Sequence, residues 1–141
     1  MTTYSVSWGY DPHMTRSVQS AEELDAVLDE AVEAQDEDGL HYVIDIVDPD
    51  TKHGEFDLPL GLHMGVGPKR AKVFWTGPGE NIGYEPSVPP VTIDLPEFNY
   101  GGLPTEESPE TVRVTPAVAR EAAREFVTTG QRPTCLEWTA E

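Results

Sequence analysis

Proline and glycine punctuate the middle of this chain so densely that its extended stretches lie too close together for helical crossovers between parallel strands. A doubly wound sheet is thereby disfavoured, and hairpins are the natural connection. The 13 Pro and 12 Gly among 141 residues amount to about 18%, below the roughly 25–30% of low-complexity chains. With hydrophobic residues at 38%, the expectation is many turns on a folded body with its own core.

Thr3 to Trp8 alternates Tyr4, Val6 and Trp8 with Thr3, Ser5 and Ser7, the period of a half-buried strand, which Asp11 and Pro12 end. Ser20 followed three residues later by Glu23 is a capping box. Behind it Leu24, Val27, Leu28, Ala31 and Val32 share one stripe, predicting an amphipathic helix over 21–35 with Gly39 as its terminator. His41–Val47 reads as a strand closed by an Asp48-Pro49-Asp50 turn. In the alternating tract Phe56–Val66, Pro59 marks an edge or a bulge. Ala71–Thr76 is a strand entered by the Gly67–Arg70 turn and left by Gly77-Pro78-Gly79, and weaker strands are expected at Asn81–Glu85, Thr92–Asp94 and Phe98–Gly101. Residues 103–110 read as a loop and Val112–Val114 as a short strand. Thr115 and Pro116 open a second helix over 116–129. Val118, Ala119, Ala122, Ala123, Phe126 and Val127 supply its apolar face, Gly130 follows its end, and Pro133 bars continuation. Cys135–Trp138 is a last strand. Residues 1–141 are thus expected to form one α+β domain, a mostly antiparallel twisted β-sheet with the two helices packed on it.

The charge narrows function further. Twenty-six Asp and Glu against nine Lys and Arg leave a formal charge of -17, which repels polyanions and anionic membranes. Solubility and attraction to a basic partner both remain open. One cysteine, Cys135, permits no internal disulfide and suits a reducing cytoplasm. No signal peptide or membrane span is visible.

Catalytic and metal-binding patterns are scarce, and no cofactor is implied. His13, His41, His53 and His63 stand at no recognisable metal spacing. His53-Gly54-Glu55 matches the H-x-E half of a zinc nucleobase deaminase signature, but the P-C-x-x-C half is missing, so a turn is the better reading. The glycine-rich run Gly61–Gly67 lacks the ending of a phosphate loop and reads as bulges or tight turns in a twisted sheet. Cys135 beside Leu136 reads as an inert, partly buried thiol rather than a nucleophile.

The acidic helix is the more unusual feature. Residues 21–38 carry nine acids and no Lys or Arg, without the i,i+4 pairs that ordinarily support a solvated helix face. Its acids either form a solvated face or a surface complementary to a basic partner. Asp25, Asp29, Glu30, Glu33, Asp36, Glu37 and Asp38 are the candidate contact residues. Most basic residues fall elsewhere, at Lys69-Arg70-Lys72 and from Arg113 to Arg132, so the molecule is expected to be polarised, with the acidic side as docking face. Tyr84 and Tyr100, near Gly/Pro turns, are candidate anchors of that interface or core residues, whereas Trp75 shares a strand face with Val73 and reads as core.

The C-terminal third carries a resemblance. Residues 119–138 read AREAAREFVTTGQRPTCLEW, a helix ending in Phe126-Val127, then Thr129-Gly130-x-Arg132-Pro133, then a strand closing on Glu137-Trp138. Together with Leu62–Gly67, the Val73–Trp75 strand and the opening helix before His41–Val47, this resembles the Imm1 family of immunity proteins from bacterial polymorphic toxin systems, over about Ser20 to Trp138. The resemblance implies a cytoplasmic antitoxin, not an enzyme, that binds and neutralises a cognate toxin domain of a nucleic-acid-targeting type, a deaminase or nuclease. Such a toxin would have a basic cleft, against which the acidic surface makes physical sense. The motif residues are expected to serve folding: Gly130 as a helix cap, Arg132 as the pairing partner of a nearby carboxylate, Pro133 as a helix stop, and Trp138 as a core residue. The competing readings are a small acidic scaffold or assembly subunit, which would show a large exposed apolar patch, and an enzyme of unrecognised type.

Overall fold

The computed structural model describes residues 2–54 and 57–141. Its larger sheet contains seven strands: β1 (Tyr4–Gly9), β2 (His13–Val18), β4 (Ile44–His53), β5 (Leu58–Val66), β6 (Ala71–Trp75), β7 (Ile82–Tyr84) and β10 (Glu137–Thr139). They lie in the order β10-β7-β6-β5-β4-β1-β2, and every pairing is antiparallel. A second sheet joins β3 (His41–Tyr42), β8 (Glu97–Asn99) and β9 (Pro104–Glu106), with β3 and β8 parallel. Helices α1 (Ala21–Glu33) and α2 (Pro116–Thr129) complete the α+β fold. Among the described residues, no helix is long and apolar enough to cross a membrane.

Strand alternation sends one set of side chains beneath the helices. Val6, Ile46, Leu62 and Trp75 are register neighbours on four adjacent strands, and all are buried. Together with Leu24, Leu28 and Ala31 of α1 and Ala119, Ala122, Ala123 and Phe126 of α2, they form the main core. Phe126 packs edge-on against Tyr4 and Trp75, with ring centroids at 5.2 and 5.5 Å. The small sheet covers part of the other face. Val43, Phe98 and Val112 form a second core there, flanked by Phe74, Val91 and Tyr100.

The signals at the start of α1 and the end of α2 act as their chemistry requires, whereas Thr115 at the start of α2 makes no side-chain cap and donates its hydroxyl to Glu85 Oε2 instead. Ser20 Oγ accepts from Glu23 N at 3.1 Å, and Glu23 Oε1 reaches back to Gln19 N at 2.8 Å. Gly130, at φ +72°, closes α2 by donating its N–H to Phe126 O at 2.7 Å.

Several boundaries differ from the sequence reading. Helix α1 stops at Glu33 with Ala34 already extended, so Gly39 (φ +84°) closes the following turn rather than the helix. His41–Val47 is divided, because β3 joins the small sheet and β4 the large one. Strand β4 continues through Asp48-Pro49-Asp50 to His53, and the expected turn is a bulge opposite the Leu60–Pro59 step. The Asp48 carboxylate holds that bulge by accepting from Asp50 N and Thr51 Oγ1. Phe56, the expected start of the next strand, lies outside the described residues. Thr92–Asp94 is a bend rather than a strand, residues 103–110 contain β9 and a 3₁₀ turn at Pro109–Thr111, and Val114 forms only an isolated bridge to Ala71. The last strand is Glu137–Thr139, not Cys135–Trp138. Strand β2 escaped the pattern because it is an edge strand on which Val18 alone is fully buried. Gly61 and Gly65 lie within β5 rather than in bulges. A Cβ at Gly65 would stand 2.7 Å from the Phe98 ring, so the glycine admits the small sheet's central side chain.

Candidate protein-binding surface

The acidic run does not present one uniform face. Helix α2 packs along α1, and its arginines neutralise the middle of α1. Arg124 pairs with Asp25, Arg120 reaches Asp25 at 3.5 Å and Asp29 at 2.9 Å, and Arg16 of β2 meets Glu30 at 3.3 Å. The expected segregation of acidic and basic sides therefore fails where the helices meet, since Arg120 and Arg124 belong to the segment read as the basic pole. Glu33, Glu37 and Asp38 are exposed and form no ion pair among the described residues.

Asp36 plays a local role. One carboxylate oxygen accepts from Asp38 N and Leu40 N, both at 2.9 Å, and the other accepts from Asn99 Nδ2 at 2.8 Å. Asn99 in turn accepts from Gly102 N at 2.6 Å. The Asn99 hydrogen bond, followed by that from Leu40, holds the Asp36 carboxyl below its ordinary value. Its stabilising effect is present above the ordinary Asp range and is lost as pH falls through the lowered value.

This bridge brings three loops together around a cleft of about 460 Å³. The β1–β2 turn supplies Tyr10 and Asp11, the loop after α1 supplies Asp36, Glu37 and Asp38, and the β8–β9 turn supplies Gly102. Tyr42, Asn99 and Pro104 complete the lining, so among the described residues four acids and no cation surround it. Tyr10 is 62% exposed and rests against Gly102, while the adjacent Leu103 is 67% exposed. Sequence pattern alone marks Asp11 only as the end of a strand and gives Tyr10 and Leu103 no role. They sit far in the chain from residues 36–38, and only Tyr10's position beside a turn hinted at exposure.

The two tyrosines expected as anchors lie elsewhere. Tyr100 is half-buried, donates its hydroxyl to Glu107 and stacks on Phe74 at 6.4 Å. Burial and the neighbouring carboxylate raise its pKa far beyond the ordinary range. The Tyr84 ring lies 4.8 Å below the Arg113 guanidinium and borders a separate cavity with Glu110 and Glu141.

The Thr129–Pro133 motif forms an interlocked corner with Trp138. Trp138 Nε1 donates to Pro133 O at 2.9 Å. Arg132 stacks 5.3 Å from the Trp138 ring and donates to Glu80 O at 3.0 Å. Arg132 thus binds a carbonyl and an aromatic face rather than the expected carboxylate, and Trp138 is a partly buried flank of the core. Glu125 finishes the corner by accepting from Thr134 N, Thr134 Oγ1 and Cys135 N.

Two arrangements bear on catalysis. His63 bridges Asp45 at 2.6 Å and Thr76 Oγ1 at 2.9 Å, the order of a carboxylate–imidazole–hydroxyl relay drawn from β4, β5 and the residue that follows β6. Thr76 Oγ1 also lies 3.1 and 3.3 Å from the Pro59 and Gly61 carbonyls, which compete for its single proton and anchor the hydroxyl. The arrangement fastens β4, β5 and the end of β6. Burial, reinforced by Glu125 and Glu121, pushes the Cys135 thiol up to about 11. Compared with an ordinary thiol near 9.0, its thiolate fraction at neutral pH should be about a hundredfold lower. Alkylation of the folded protein should be slower than that of the urea-unfolded chain, by less than the thiolate fraction alone would give because a more basic thiolate is the better nucleophile, and equal rates would contradict the burial argument. His53 ends β4, whereas Glu55 lies outside the described residues. Among the described residues, no cluster of His, Cys, Asp and Glu is arranged to hold a metal ion.

The family model described as "Immunity protein Imm1" matches residues 13–140. No curated protein matches the chain.

Proposed function

The chain belongs to the Imm1 family of immunity proteins, and from that premise we propose that it binds and neutralises a cognate toxin domain through the acidic cleft between Tyr10 and Asp38. The observation carrying this reading is the exposed Tyr10 ring standing beside Asp11, Glu37 and Asp38 in one cleft. An exposed aromatic ring set among acids that form no ion pair among the described residues suits a basic partner: the acids steer the encounter, and the aromatic anchor slows release. The toxin is, on this reading, a nucleic-acid-acting deaminase or nuclease whose phosphate path is basic, and the protein meets it in the cytoplasm as a single binding domain rather than as an enzyme. The paired state of Asp25, Asp29 and Glu30 moves the docking centre from the helix face to its C-terminal end. Glu33 extends the acidic field towards it.

A tagged pull-down at low and high salt, with the retained chain identified, provides the partner for stopped-flow association. Asp11→Asn, Glu37→Gln and Asp38→Asn combined should lower the on-rate at low salt by about tenfold and flatten its salt dependence. Asparagine is chosen at position 11 because φ there is +48°, a region it tolerates. Tyr10→Ala should instead raise the off-rate. On-rates and off-rates both unchanged in these variants would place the docking surface elsewhere.

A further inference from the structure

Opposite in character to the acidic cleft, a groove of about 620 Å³ runs between the β5–β6 turn and the loop leading into β8, with a mainly apolar lining. Pro68 and Lys69 stand on one side, and Pro89, Pro90, Ile93 and Asp94 on the other. Ile93 is 74% exposed, more than any other large hydrophobic residue described. The groove is preformed, because two guanidinium groups hold its loop by the backbone. Arg70 donates to Pro89 O at 2.7 Å and Val112 O at 3.0 Å, and Arg113 donates to Val88 O at 2.7 Å. A wall fixed in this way loses little freedom on association. Neither Arg70 nor Lys69 meets a carboxylate in an ion pair among the described residues, so this is a locally cationic place on a chain of net charge -17.

A basic toxin fits such a surface poorly, whereas the groove complements itself. It offers a protruding aliphatic side chain, an apolar recess, an exposed cation and an exposed anion, the set that an isologous contact uses twice. We propose that this groove is the contact face of a homodimer, in which Ile93 of each copy enters the other's proline-walled recess and Lys69 faces Asp94 across the two-fold axis. The contact is independent of the toxin-binding cleft, which lies on different loops.

Sedimentation velocity from low micromolar to submillimolar protein tests this directly. A monomer–dimer equilibrium is expected, strengthening from low to moderate salt as the repulsion between two copies of charge -17 is screened. Ile93→Asp should weaken the dimer by at least about tenfold, and Lys69→Glu should weaken it as well. At the lowest concentration, where the wild type is monomeric, both variants should keep its melting profile. Leu58→Asp, at another exposed aliphatic position, should leave the equilibrium unchanged. A wild-type protein that stays monomeric at the highest concentration and moderate salt would overturn the proposal, as would a dimer indifferent to Ile93→Asp.

Discussion

Replacing Lys72 by methionine should destabilise the fold by about 3–5 kcal/mol, because it strips the counter-ion from a buried carboxylate. Lys72 lies on the outer face of β6 beneath the small sheet, with its side chain 11% exposed, and its ammonium is 2.9 Å from Glu107 Oε2. Glu107 is 3% exposed at its side chain and receives one further hydrogen bond, from Tyr100. The ammonium also stands 5.3 Å from the Phe74 ring centre and 5.8 Å from that of Tyr100. Methionine fills the space of the lysine stem but leaves the Glu107 charge without its partner, and desolvation then dominates. At this chain length the loss corresponds to a fall in melting temperature of roughly 10 °C or more. Lys72→Met combined with Glu107→Gln should recover at least half of the loss, since the uncompensated charge has gone. Urea unfolding of the two single variants and the double variant provides the cycle. Equal destabilisation in Lys72→Met and the double variant would show that the loss does not come from an uncompensated Glu107 charge, and a Lys72→Met variant as stable as the wild type would show that the ion pair does not hold the small sheet in place.

Phe126→Ala should cost a similar amount, about 3–5 kcal/mol, for a different reason. Phe126 is fully buried and touches Tyr4 of β1 and Trp75 of β6, so it joins α2 to two separated strands. Truncation leaves a cavity that rigid strands on one side and a helix on the other cannot collapse. The edge-on geometry of both ring pairs is lost too, worth about 0.5–1.5 kcal/mol per pair beyond burial. Phe126→Leu keeps most of the volume and should cost well under half as much. The two variants can be compared by the urea midpoint at constant m-value. An alanine variant within about 1 kcal/mol of the wild type would mean that α2 is held by its arginine pairs and its C-terminal corner rather than by this ring.

The local devices were the legible part. Ser20 with Glu23, Thr115-Pro116 and Gly130 announce helix ends because capping and left-handed glycine involve residues only a few positions apart. The Tyr4–Trp8 and Ala71–Thr76 strands announced themselves by alternation, since each has one face wholly in the core. Strand β2 did not, because a sheet edge demands little burial of its residues, and its pairing comes from the β1 backbone. Strand β9 was hidden for the same reason: Pro104, Thr105 and Glu106 look like a loop until β8 supplies a partner.

What the sequence determined by itself was the α+β class, the two amphipathic helices, the family resemblance and the excess of acid. Tertiary structure alone decided which acids are free. Asp25 and Asp29 look identical in kind to Glu37 and Asp38 along the chain, yet the packing of α2 places Arg120 and Arg124 against the first two, while the others meet no cation among the described residues. It also decided that Tyr10 and Asp11 stand beside Glu37 and Asp38, and that Tyr100 turns inward to Glu107. The physical reason is range. Propensity, capping and hydrophobic period act over one or two turns of chain and are written locally. Ion pairing and surface chemistry depend on which distant segments the register of the sheet and the crossing of the helices bring within a few ångströms.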